Sequence, residues 1–120
     1  MSLLQGDIAG ATRHLHGALV LYRELGIMYG EADTLISLGE ISLASGRPGD
    51  ARAQHTAALS LAEKTSHKHE QARAHRGLGA VCHADGDLAG ARRHWQQAFT
   101  LFTELGTPEA DQVRAQLAAA

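Results

Sequence analysis

The chain has 120 residues and a formal net charge of −2 at pH 7, which argues against a nucleic-acid-binding surface because such surfaces are strongly basic. Hydrophobic residues make up 44% of the chain but aromatic residues only 4%, so Ala and Leu must fill the core, as they do in closely packed helices. The single cysteine excludes an internal disulfide and predicts a reducing, cytoplasmic location, and no apolar run reaches the roughly 20 residues of a membrane span.

The spacing of apolar residues predicts one helix after another along the chain. Between Ile8 and Leu25 they recur in steps of three and four, which predicts a helix over 7–25 that Gly26 ends. Pro48 suits the first turn of a helix, where its missing N–H is not needed. The same pattern predicts further helices at about 29–45, 48–65, 68–85, 88–105 and 108–119.

Small residues recur along the chain with a period of 40. Three sets share one phase each: Gly6, Gly46 and Gly86; Ala11, Ala51 and Ala91; Ala18, Ala58 and Ala98. A period of this length indicates stacked units that cannot bury their apolar faces alone. With five to six helices and no predicted strand, residues 1–120 are expected to form a single all-α domain, a solenoid of antiparallel helical hairpins.

The repeated residues resemble those of the tetratricopeptide repeat. Leu38-Gly39 and Leu78-Gly79 match the Leu-Gly pair of that family's first helix, helix A, and the alanines match the crossing positions of helix B. The resemblance implies a right-handed superhelix in which the glycine of helix A lets helix B approach closely. Because the usual period is about 34 residues, the chain resembles a long-period type of the family.

The phase of the repeat divides the chain into units. Residues 7–25 correspond to helix B of a truncated unit, 29–65 and 68–105 to complete units, and 108–119 to a terminal helix A. Residues 2–6 match 42–46, which predicts that they end an earlier helix A and that a new helix starts after Gly6. Neither end has the polar outer face of a cap, so we expect a fragment of a larger protein.

Two segments extend the resemblance to one group of proteins. Tyr22-Arg23-Glu24-Leu25-Gly26 and Leu101-Phe102-Thr103-Glu104-Leu105-Gly106 are similar to the repeats in the C-terminal arrays of actinobacterial transcriptional regulators. That resemblance implies a sensor or assembly arm in a larger regulator.

No set of residues predicts catalysis, a metal site or a cofactor. The pairs His14/His16 and His67/His69 have an i, i+2 spacing, which points side chains about 200° apart on a helix. Cys82 occupies a slot that the family fills with a buried aromatic, so a packed thiol is expected. We therefore expect a non-enzymatic chain.

The resemblance also implies a concave groove lined by helix A, on which a protein or peptide partner binds. By phase, the candidate groove residues are Asp33, Ile36, Ser37, Glu40 and Leu43 in the first unit, Arg73, Arg76, Ala80 and His83 in the second, and Arg114 on the last helix. The three arginines are expected to form a basic side that could bind a carboxylate of an acidic peptide. A solvated charged face remains the alternative for each residue.

Two functions therefore compete. The first is a protein- or peptide-binding module within a bacterial regulator. The second is self-association into a homo-oligomer, because helix 7–25 has lost its helix A and helix 108–119 has no helix B to cover it.

Overall fold

The computed structural model describes residues 3–119, and all of its regular structure is helical. The helices are α1 Leu3–Leu25, α2 Met28–Ala44, α3 Pro48–Lys64, α4 Lys68–Ala84, α5 Leu88–Leu105 and α6 Glu109–Ala119. No strand occurs within this range, so the predicted all-α fold of five to six helices is confirmed. None of the described helices has the length and apolar composition needed to cross a membrane.

The helices stack as a solenoid of hairpins. Each helix packs on the next one along the chain, and α2 also packs directly on α4. No comparable contact joins α1 to α3 or α3 to α5 within the described residues. The stack therefore has α2 and α4 close together on one side, where a groove can form, and the odd-numbered helices on the other.

A glycine follows the end of α2 and another follows the end of α4. Gly46 and Gly86 adopt φ values of 77° and 81°, a left-handed conformation that glycine reaches without steric cost. Beyond each glycine the chain donates back to the helix, from Arg47 N to Ser42 O (2.8 Å) and from Asp87 N to Cys82 O (2.9 Å). These bonds complete a Schellman motif and satisfy carbonyls that would otherwise lack partners.

The helix crossings depend on residues with little or no side chain. Ala51, Ala58, Ala91 and Ala98 are completely buried. A methyl group added at Gly79 would overlap the ring of Trp95, and one added at Gly39 would overlap the ring of His55. The glycine of each Leu-Gly pair thus receives a large side chain from the following helix.

The first helix begins earlier than the repeat predicts. It runs from Leu3 through Gly6, and Gly6 is not among the glycines with positive φ. At Gly46 a positive φ lets α3 fold back on α2, whereas Gly6 does not adopt this conformation and stays within α1. The helix therefore continues through the position where a break was expected, and the assignment of repeat units stays a prediction.

Replacing Gly79 with alanine should destabilise the fold. The new methyl group must displace Trp95, which is 4% exposed, and such overpacking costs about 1–3 kcal/mol. The matched control is Gly17→Ala in α1, where an added methyl meets no atom within 4 Å and helix propensity favours alanine by up to about 1 kcal/mol. Urea unfolding should show opposite signs for the two variants; equal stabilities would contradict this account of the crossing.

Candidate functional site

A groove lies on the side of the stack where the even-numbered helices meet. It encloses a cavity of about 310 Å³. Its lining comes from α2, α4 and α6: Glu40, Arg73, Arg76, Gly77, Ala80, Gln112 and Gln116. The structure thus brings together four of the residues predicted from the sequence, Glu40, Arg73, Arg76 and Ala80.

The cavity exists because α6 meets α4 differently from the way α4 meets α2. Between α2 and α4 the contact has an apolar part, since Ile36, Leu38 and Ala74 belong to one buried cluster. On α6 the residues at the groove are Gln112 and Gln116, and α6 packs mainly on α5. Polar side chains do not draw the two helices together as apolar ones do. A polar gap therefore remains beside α4.

Arg73 lies at the centre of a charged cluster at the α2 side of the groove. Its guanidinium donates to Asp33 Oδ1 and to Glu70 Oε2 (3.0 Å), and Glu40 Oε1 lies 3.6 Å away. Glu70 is 1% exposed, so this buried carboxylate requires the arginine as its partner. We call these four residues the Arg73 cluster. Arg73 is thus already paired within the chain, unlike the available basic residue expected from the sequence.

Arg76 is the available cation in the cavity lining. No carboxylate among the described residues lies within ion-pair distance of it, and its guanidinium carbon lies 5.6 Å from the centre of the Phe102 ring. A guanidinium over an aromatic face is held in place while its N–H groups stay available at its edge.

The remaining predicted residues take other places. Ile36 is 1% exposed and belongs to the core, so a partner cannot contact it in this conformation. Arg114 lies over the ring of Phe99 at 5.4 Å and does not line the cavity. Asp33 reaches the groove only through Arg73.

Three more predicted residues lie outside the lining. Ser37 and Leu43 are half-buried on α2, and His83 is exposed, with its ring 5.6 Å from that of Trp95.

His55 lies beneath the floor of the groove. Its ring fits between Gly39 of α2 and Gly77 of α4, where an added methyl group would overlap it from either side. Burial, together with the positive charges of Arg73 and Arg76, lowers the pKa of His55 to about 4. Its Nδ1 has no hydrogen-bond partner in the described part of the chain. The groove therefore rests on a neutral imidazole.

Histidine pairs occur elsewhere but do not form a metal site. His75 and His94 join α4 to α5 with 3.1 Å between their Nδ1 atoms, and burial lowers the pKa of His75 to about 4. His69 Nε2 donates to Glu109 Oε2 at 2.7 Å, a bond that lowers the pKa of that carboxyl. Within residues 3–119, no three histidine, cysteine or carboxylate side chains are grouped as metal ligands would be.

Several groove residues were not identified from the sequence. Gln112 and Gln116 line the cavity, and Glu70 holds Arg73. The sequence does contain one feature that could identify the glutamines. They are polar residues four positions apart, which lie on one face of a helix, and the apolar repeat pattern does not account for them. The sequence contains no such feature for Glu70, because the residue one period earlier is Gly30, which has no side chain to compare with it.

Comparison with known proteins identifies the family of the repeated helices. A family model described as tetratricopeptide repeat matches residues 31–104, which is more than half of the chain. No curated protein matches the chain.

The stability of the fold should fall as pH is lowered from 6.5 towards 4. In this window the unfolded chain protonates His55, with an ordinary pKa of 6.5, while the folded chain excludes that proton. The stabilisation is thus fully present above pH 6.5, and each excluded proton costs about 1.4 kcal/mol per pH unit below it. His75 acts in the same direction.

Urea unfolding at several pH values would measure this slope. His55→Leu should reduce the slope of the unfolding free energy against pH by the amount that one excluded proton contributes. His16→Leu, at an exposed position in α1, should leave the slope unchanged. An undiminished slope in His55→Leu would show that the buried imidazole is not responsible.

Proposed function

Because the chain belongs to the tetratricopeptide repeat family, whose repeats generally mediate protein–protein interaction, we propose that it is a non-catalytic module that binds a segment of another protein. The site is the groove formed by α2, α4 and α6. The observation that supports this proposal best is the 310 Å³ cavity whose lining includes Arg76, a guanidinium with no carboxylate partner among residues 3–119.

Arg76 suits a carboxylate on the partner. Its planar guanidinium can donate two parallel hydrogen bonds to one carboxylate, and the stacking on Phe102 restricts its orientation before binding. Since the groove is open to solvent, such a pair contributes modestly, about 0.2–1 kcal/mol, and weakens at high salt. The acidic side chain of the partner would thus fix its position more than its affinity.

The wider role that we propose is that of a sensor or assembly arm in a larger bacterial transcriptional regulator in the cytoplasm. Support comes from the similarity of Tyr22–Gly26 and Leu101–Gly106 to the repeats of actinobacterial regulators. Binding in the groove would then report the presence of a partner to the rest of that protein.

Reversing the charge of Arg76 should weaken binding selectively. Peptides selected from a displayed random library on the immobilised chain would serve as probes. Arg76→Glu should weaken the binding of these peptides by more than the loss of one such pair, because an acidic side chain in the partner would then face a carboxylate. Fluorescence anisotropy would give the affinities and circular dichroism the helical content.

Arg114→Glu is the matched control, because Arg114 also lies over a phenylalanine of α5 but does not line the cavity. It should bind the selected peptides as the unaltered chain does. Equal effects of the two reversals would indicate general attraction between charges and would refute a site at Arg76.

The second candidate function is self-association, which the exposed face of α1 favours. Ala11 is exposed and Ala18 half-buried, although Ala51 and Ala58, one period on, are completely buried. Larger apolar side chains near these alanines on the surface of α1 are also exposed: Leu21 (53%) and Leu25 (62%). A second copy of the chain, through its own terminal helix, could cover this face.

Light scattering across a concentration series would test self-association. If α1 is the interface, the mass should rise with concentration, and Leu21→Glu should abolish the rise by placing a charge in the apolar contact. His16→Glu, on another part of the helix surface, is the control. A constant monomeric mass for the unaltered chain would eliminate this function.

A further inference from the structure

We propose that the groove selects a segment carrying charges of both signs, with a basic side chain beside Glu40 and an acidic side chain beside Arg76. This inference rests on the proposed function, since it specifies what the same groove binds. It follows from the unequal pairing of the charges at the two sides of the cavity.

The α2 side of the groove has an excess of negative charge. In the Arg73 cluster three carboxyl groups share one guanidinium, so acidic groups outnumber the basic one. Arg73 lies closest to Asp33 and Glu70, whereas Glu40 stays beyond hydrogen-bond distance at 3.6 Å and its side chain is 55% exposed. Glu40 is therefore the most exposed carboxylate of the cluster and the one that Arg73 holds least closely.

The α6 side of the groove has the opposite sign. Arg76 reaches the cavity between α4 and α6, and the neighbouring lining residues are the uncharged amides Gln112 and Gln116. The cavity lining thus combines a loosely paired, exposed carboxylate on α2 with an arginine on α4 that has no carboxylate partner among the described residues. An acidic segment would be attracted to Arg76 and repelled from Glu40, and a basic segment would meet the reverse, so both single-signed partners are disfavoured.

The groove can also hold the backbone of such a segment. Each glutamine amide has a donor and an acceptor, as a peptide group does. The amide oxygen of Gln116 is buried and has no hydrogen-bond partner in the described residues, so no bond must be broken for this amide to turn towards a ligand. In an extended segment, alternate side chains point the same way about 6.6 Å apart. A basic and an acidic residue that alternate in an extended segment can therefore both face the groove.

The test is a selection from a random decapeptide library displayed on phage, carried out on the immobilised 120-residue chain. Selected peptides should carry a basic and an acidic residue in close sequence. In the tightest peptide, replacing either charged residue by glutamine should lower affinity about two- to fivefold, the range for a partly exposed pair. Ala80→Trp, which fills the cavity, should remove binding.

Two variants of the chain assign the ends of the groove. Glu40→Gln should remove the preference for the basic residue and leave that for the acidic residue, and Arg76→Gln should do the reverse. Glu104→Lys, an exposed charge reversal outside the cavity lining, should change neither preference.

The outcomes separate this inference from the proposed function. Peptides that are uniformly acidic but lose binding in Ala80→Trp would overturn the two-sign selection and leave the groove as the binding site. Peptides unaffected by Ala80→Trp, or a selection that yields none, would overturn both.

Discussion

The close approach of consecutive helices at positions without side chains is the constraint on which the rest of the structure depends. Gly39 and Gly79 each leave the space that a large side chain of the next helix occupies, the imidazole of His55 or the indole of Trp95. Tight packing tolerates neither a void nor an added methyl group at such a crossing. Because Gly77 contacts His55 from the opposite side, one buried ring fixes the spacing of α2, α3 and α4 together.

The groove is the place where this tight packing stops. Between α2 and α4 the buried contact includes apolar residues of both helices, but α6 presents glutamines beside α4 and is held mainly by α5. A polar link, His69 to Glu109 at 2.7 Å, still joins the start of α4 to the start of α6. Such a link orients two helices without requiring a dry interface, so a cavity of 310 Å³ can coexist with a well-packed core.

What the sequence could predict was local or periodic. Apolar spacing and glycines predicted the helices, and the recurrence of small residues identified the crossings, because both depend on neighbours along one helix. The groove was harder to predict. The pairing of Arg73 with Asp33, forty positions apart, depends on how two helices are placed in space, and so do the burial of Ile36 and the stacking of Arg114 on Phe99. The position of a residue within the repeat identifies the helix face on which it lies. It does not identify which charged side chains pair with each other.

The core and the groove are coupled electrostatically through His55. Burial is the main reason for its low pKa, but the charges of Arg73 and Arg76 contribute as well. An anion bound at Arg76 would offset part of that positive field and raise the pKa of the buried imidazole. By thermodynamic linkage, protonation of His55 must then strengthen anion binding by the same free energy. Because the folded chain protonates His55 only near pH 4, where the fold is already destabilised, the two effects oppose each other there. The residue that sets the helix spacing therefore also links proton binding in the core to the occupancy of the groove.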